Sequence, residues 1–120
     1  MILDNQPISV IYHLAVRHEW EAAVASGHHY CRSTIGRSLD EQGYIHASFR
    51  HQVDTVAEAF YHDCDDVVLL EIEVSGLNCE VKVENLDGGA ERFPHIYGPI
   101  PVDAVSKVET LDLMCRKLTS

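Results

Sequence analysis

The chain has 120 residues, enough for one domain with a real hydrophobic core. Its 46% apolar and 23% charged content is that of a soluble globular protein. Nine basic against nineteen acidic residues give a net charge of −10, which argues against nucleic acid or an anionic membrane as partner, because both need a cationic face.

The opening Met1-Ile2-Leu3-Asp4-Asn5-Gln6-Pro7 carries no basic n-region and no apolar h-region, and reads as a loose start. No window approaches the run of roughly 18 apolar residues that a membrane helix needs. Cys31, Cys64, Cys79 and Cys115 are scattered and form no Cys-x-x-Cys pair, so they read as thiols in a reducing compartment. A cytoplasmic location is the expectation. The whole of residues 1–120 reads as a single domain, with a core over about 8–111 and peripheral segments at 1–7 and 112–120.

Ser9 to Leu14 is rich in β-branched and aromatic residues and predicts a first strand, with Ser9, Ile11 and His13 on one face. Arg17 to Ser26 predicts a helix whose Trp20, Ala23 and Val24 form the apolar stripe, closed by Gly27. His18, His28 and His29 at its ends are expected in solvent. Tyr30 to Gln42 lacks periodicity and reads as a polar loop, with one helical turn around Ser38-Leu39-Asp40-Glu41.

Gly43 to Ser48 predicts a second strand with Tyr44, His46 and Ser48 on one face. Phe49 to Tyr61 predicts a second helix buried through Val53, Val56, Ala57 and Phe60, with Ser48 as its N-cap. His51 and His62 fall off that stripe. After an acidic turn at 62–66, Val67 to Val74 is an apolar strand expected to be covered on both faces. Cys79 to Glu84 alternates with Val81 and Val83 inward. The glycine-rich stretch 85–90 does not lead from a strand into a helix, so it is no phosphate loop. Ser106 to Leu111 is the last strand. Helices come early and strands cluster late, which is α+β organisation.

The densest stretch is Glu91-Arg92-Phe93-Pro94-His95-Ile96-Tyr97-Gly98-Pro99-Ile100-Pro101. Its prolines preclude a helix interior. As an extended segment it sets Phe93, His95 and Tyr97 on one side, and Pro94 predicts a sheet edge or a bulge. Three histidines thus lie on strands: His13, His46 and His95. Beside them stand Tyr44, Ser48 and Tyr97. An imidazole can donate through one nitrogen and accept through the other, so it can hold a hydroxyl or move a proton. Tyr44 and Tyr97 can stack on a flat ring, and Arg92 can pair with phosphate or carboxylate. Glu91, next to the proline-stiffened segment, can stabilise a developing cation. Glu84 offers the same chemistry but reads first as a solvated strand carboxylate. The candidate catalytic residues are His46, His95 and Glu91; the candidate ligand-binding residues are His13, Tyr44, Ser48, Tyr97 and Arg92. No spacing matches a metal-ligand pattern, and Ser48 lacks the nucleophile elbow of a hydrolase.

Ile11-Tyr12-His13-Leu14, Glu19-Trp20-Glu21-Ala22-Ala23, Gly43-Tyr44-Ile45-His46-Ala47-Ser48, Val68-Leu69-Leu70-Glu71-Ile72 and Phe93-Pro94-His95-Ile96-Tyr97-Gly98-Pro99-Ile100 together resemble a bacterial family, domain of unknown function 952. The resemblance runs from about residue 10 to residue 111. It implies kinship with the ADP-ribosyltransferase fold: two small, mostly antiparallel sheets with two helices around a cleft that binds NAD. By position His13 resembles the histidine that holds the nicotinamide ribose. Tyr44, His46 and Ser48 lie where an aromatic or hydroxyl residue flanks the nicotinamide. Glu91, His95 and Tyr97 lie at the later acidic position, with a histidine where glutamate is usual. Three expectations follow. The chain is a transferase-like enzyme binding NAD or an ADP-ribose-containing ligand, with NAD as substrate. Alternatively it is a small-molecule enzyme using histidine acid–base chemistry without NAD. Or it is a non-catalytic ligand- or protein-binding domain.

Overall fold

The apolar run Val67–Glu73 forms the centre of the first sheet, and its first four residues are all buried. In the computed structural model, which describes residues 2–3, 6–7, 9–27, 29–34, 37–61, 66–85 and 91–111, the main strands are six. They are β1 (Val10–Val16), β2 (Ile45–His46), β3 (Val67–Glu73), β4 (Val81–Glu84), β5 (Phe93–Ile96) and β6 (Val105–Leu111). The helices are α1 (Arg17–Ser26), the single turn α2 (Leu39–Gln42) and α3 (Val53–Tyr61). Two antiparallel three-stranded sheets result, ordered β6-β3-β1 and β2-β5-β4. The α+β organisation is therefore as the strand and helix order predicts.

One apolar cluster joins Ile11, Ala15, Val68, Leu70 and Ile72 of the first sheet to Ile45, Val81 and Ile96 of the second, with Trp20, Tyr30 and Ile100. A second cluster packs Leu14, Val67 and Leu69 of the first sheet against Val53, Val56, Ala57 and Tyr61 of α3. Period-2 alternation in β1 and β3 feeds both clusters, one from each face. The Tyr61 hydroxyl donates to the Leu14 carbonyl at 3.0 Å, so this buried phenol is satisfied.

Several expectations are corrected. Val24 is 47% exposed, so the stripe of α1 is Trp20 and Ala23 alone. Gly27 does end the helix in the left-handed region, at φ 73°, with its N–H on the Val24 carbonyl. The loose start contains an antiparallel pair, Ile2–Leu3 with Gln6–Pro7. The polar loop holds another, Arg32–Thr34 with Arg37–Ser38, leading into α2. There Ser38 Oγ accepts from the Glu41 N–H and Glu41 Oε1 from the Ser38 N–H, a capping box that starts the turn. Ser48 caps no helix. A 3-10 turn, Arg50–Gln52, precedes α3, and the Phe49 N–H donates to Gln52 Oε1 at 3.0 Å. Ser48 instead bridges Tyr12 through two backbone bonds of 2.7 and 2.8 Å. The acidic turn at 62–65, the glycines at 88 and 89, His28 and the tail from 112 lie outside the described residues.

Pro94 carries the largest correction, because β5 is the middle strand of its sheet. The register explains how a proline sits there. The Ala47 N–H donates to the Pro94 carbonyl at 3.0 Å, so Pro94 directs its backbone polar side toward β2. The N–H it lacks would meet Ala47, where the two-residue ladder of β2 has already ended. The chain then crosses to the first sheet through the Tyr12–Ser48 bridge. Residues 45–48 therefore pair with both sheets in four consecutive positions. Among the described residues, no helix is long and apolar enough to cross a membrane.

Candidate functional site

Directly opposed residues of paired strands share a sheet face. The pairs His46↔His95, Lys82↔His95 and Glu84↔Phe93 put His46, Lys82, Glu84, Phe93 and His95 together, and alternation along β5 adds Tyr97. The opposite face, Ile45, Val81 and Ile96, enters the core. The second sheet is thus apolar on one side and aromatic, imidazole-bearing and charged on the other.

His46 and His95 form a non-hydrogen-bonded pair, since the bonded position is the neighbouring Ala47–Pro94. Side chains stand closer in such pairs, and the two rings lie 5.5 Å apart between centroids. The N–H and C=O of His46 consequently point away from β5, toward the other edge of the strand. Ser33 Oγ accepts the N–H at 3.2 Å, and His13 Nδ1 donates to the carbonyl at 2.6 Å. The three strand histidines therefore meet, His13 through the backbone of His46 and His46 beside the ring of His95.

His13 is 2% exposed. A carbonyl only accepts, so Nδ1 carries the proton and Nε2 presents a lone pair. Among the described residues that lone pair has no hydrogen-bond partner. Burial pushes the His13 pKa down to about 4, against the raising effect of the His46 carbonyl, so the ring is neutral near pH 7. Its neighbour Tyr30 meets it edge to face at 5.5 Å.

His95 is equally buried, at 2% exposure. Its Nδ1 donates to Glu84 Oε1 at 3.0 Å, and the Tyr97 hydroxyl donates to the same oxygen at 2.5 Å. Two donors on one carboxylate favour the anion. The Tyr97 bond first, then the His95 bond, hold the Glu84 carboxyl below its usual range against partial desolvation. The same bond pushes the Tyr97 phenol up to about 12. Tyr44 stacks on the His95 ring at 4.2 Å with 25° between planes, and Phe93 lies 4.9 Å from His46. Lys82 Nζ stands 5.0 Å from the Tyr97 ring. Tyr44, His46, Phe93 and Tyr97 are half-buried, so the rim of the face meets solvent.

Of the candidate residues, His13, Tyr44, His46, His95 and Tyr97 come together. Ser48 is buried two residues beyond His46 in the bridge to β1. Glu91 and Arg92 are exposed ahead of β5; Arg92 contributes its carbonyl to the Gln52 amide at 2.8 Å. Among the described residues, no hydrogen bond or ion pair joins Glu91 to the histidines. The carboxylate that reaches His95 is Glu84, which sequence reasoning set aside. The signal was present: with Val81 and Val83 inward, Glu84 shares a face with Lys82, and only the pairing of that strand with β5 was missing. Among the described residues, no group of three or more His, Cys, Asp or Glu is placed to hold a metal ion.

Chemically the arrangement is a carboxylate-oriented imidazole under an aromatic ring, with a second imidazole alongside. A family model described as protein of unknown function (DUF952) matches residues 14–108. The X-ray structure of Protein CC0527 from Caulobacter crescentus is similar, with 34% identity, a TM-score of 0.73 and 87% of each chain covered. The solution NMR structure of CC0527 is similar at 35% identity and a TM-score of 0.68, covering 88% of this chain and 86% of that one. No curated protein matches the chain. The family match spans β2, β4 and β5 with all their site residues, and the chain belongs to the DUF952 family.

Proposed function

We propose that the face built from Tyr44, His46, Phe93, His95, Tyr97 and Glu84 binds a small molecule, and that His95 moves a proton on it. The observation that carries this is the buried His95 ring with Nδ1–H committed to Glu84 Oε1 at 3.0 Å. A carboxylate on Nδ1 fixes ring orientation and tautomer and leaves Nε2 to exchange the proton, the general logic of an oriented histidine. His46, directly opposite His95 in the register, is the second proton carrier.

A second reading names the ligand as NAD or an ADP-ribose-containing molecule. It is favoured by the Tyr44 ring, suited to a flat base, and it requires the residues that seal the buried Nε2 lone pair of His13 to move aside before that acceptor meets a sugar hydroxyl. In that reading nicotinamide leaves with the bonding pair, the ionised Glu84 carboxylate stabilises the positive charge left on the sugar, and water or an acceptor hydroxyl bonds to that carbon and gives its proton to a histidine.

Thermal unfolding against NAD, ADP-ribose, nicotinamide, nucleoside monophosphates and sugar phosphates separates the readings. Ligand at ten times its Kd stabilises by about 1.4 kcal/mol, a shift of a few degrees. A shift with NAD or ADP-ribose that is lost in His13→Ala supports the second reading. A shift with another ligand, lost in His95→Ala and indifferent to NAD, supports the first alone. A flat response to the whole set counts against both.

A further inference from the structure

The two outer edges of the first sheet differ. On β1, the backbone of Tyr12 exchanges both its bonds with Ser48, and the Leu14 carbonyl accepts from the Tyr61 hydroxyl. On β6, no strand pairs with the outer edge among the described residues, and Ser106 to Thr110 are all exposed. Val108 is 43% exposed, one of two large apolar side chains that stand out among the described residues.

The register states which backbone groups that edge offers. The Val74 N–H donates to the Ser9 carbonyl and the Arg17 N–H to the Asp66 carbonyl, both at 2.9 Å, so even-numbered positions along β3 bond toward β1. Odd positions Glu71, Leu69 and Val67 therefore bond toward β6, opposite Lys107, Glu109 and Leu111. That leaves the N–H and C=O of Val108 and Thr110 pointing outward.

From this edge we infer that β6 pairs with β6 of a second copy of the chain, antiparallel about a two-fold axis at Val108. In that register Val108 exchanges both backbone bonds with Val108 of the second copy. Lys107 then lies opposite Glu109 of the second copy, and Glu109 opposite its Lys107. The sequence around Val108 is self-complementary: apolar on apolar at the centre, opposite charges on either side. Within one chain Lys107 Nζ and Glu109 Oε2 are already 4.0 Å apart, so pairing brings two such dipoles together head to tail. Opposite charges directly across a strand pair are favourable, and like charges there are unfavourable. A shift of one residue in register would destroy every one of these matches. The β-bulge between Val105 and Lys107 ends the regular edge, which limits the contact to a short ladder. The dimer is accordingly one of modest affinity, smaller than a standard interface.

The test is sedimentation equilibrium of the intact chain from about 10 µM to about 1 mM, the range suited to a small interface. The expected result is a mass that climbs toward the dimer. Lys107→Glu and Glu109→Lys, both at exposed positions, each weaken association about tenfold by setting like charges across the axis twice. An equimolar mixture of the two variants recovers association, because each then faces the opposite charge. A wild-type chain that stays monomeric over the range overturns the proposal. So does a dimer that both variants form as tightly as the wild type, since it lies elsewhere.

Discussion

Lowering the pH from 7.5 to 5.0 should cost this protein about 2 kcal/mol through His13 alone. The ring is buried, its Nδ1–H is fixed on the His46 carbonyl, and its neighbours Tyr30 and His46 supply no anion. The folded pKa is about 4, against 6.5 for a histidine in the open chain. The unfolded state therefore binds the proton more readily, and acid favours unfolding. The contribution is fully present above pH 6.5 and drains away as pH falls toward 4, where it totals about 3 kcal/mol at 1.36 kcal/mol per tenfold change in proton affinity. At pH 5.0 about 2 kcal/mol of that is gone. Urea unfolding at pH 7.5, 6.0 and 5.0 reads it directly. With a slope of about 2 kcal/mol per molar, the midpoint falls by about 1 M. His13→Asn is the control, because an amide donor near the Nδ1 position can still reach the His46 carbonyl and does not titrate. Every other histidine remains in both chains, so the difference between them isolates His13. If the variant loses as much stability as the wild type between pH 7.5 and 5.0, the reasoning about His13 is wrong.

Two other perturbations test the packing of the site. Glu84→Ala leaves the buried Nδ1–H of His95 without its acceptor and should cost about 1–3 kcal/mol in urea unfolding, while Glu84→Gln, which keeps an oxygen there, should cost less. Gly98→Ala would place a Cβ 2.6 Å from Cys79 Cβ and 2.9 Å from its Sγ, an overpacking of about 1–3 kcal/mol. Adding Cys79→Ala should not restore stability, because the nearer clash is with Cβ and survives the change. Recovery in that double variant would mean the thiol sets the spacing.

Strand parity made much of this site legible from sequence. The alternation in Phe93, His95 and Tyr97 gave the face of β5, and the same rule gave Tyr44 and His46. What parity cannot give is which strands are neighbours. Glu84 belongs to the site only because β4 lies beside β5 with Glu84 opposite Phe93, a non-local pairing with no local trace. Glu91 looked better placed because it is close in sequence, yet it precedes the strand and is exposed. Pro94 misled for a related reason. On sequence alone its missing N–H points to a sheet edge, whereas a middle strand accommodates it where that N–H would face a neighbour whose ladder is two residues long. The small strand pair and the turn within 32–42 escaped because strands of two or three residues carry too few side chains to show a period.

The double pairing of residues 45–48 has a consequence for how the molecule breathes. Ile45 and His46 are stitched to β5 and Ser48 to Tyr12, with only Ala47 between, itself bonded to Pro94. No slack separates the two sheets along this path. An opening that frees the His46–His95 register must also pull on the Tyr12–Ser48 bridge, so amide protons at Tyr12, Ala47 and Ser48 belong to one cooperative exchange unit. A common exchange rate at those three amides would show that the imidazole face and the first sheet open together.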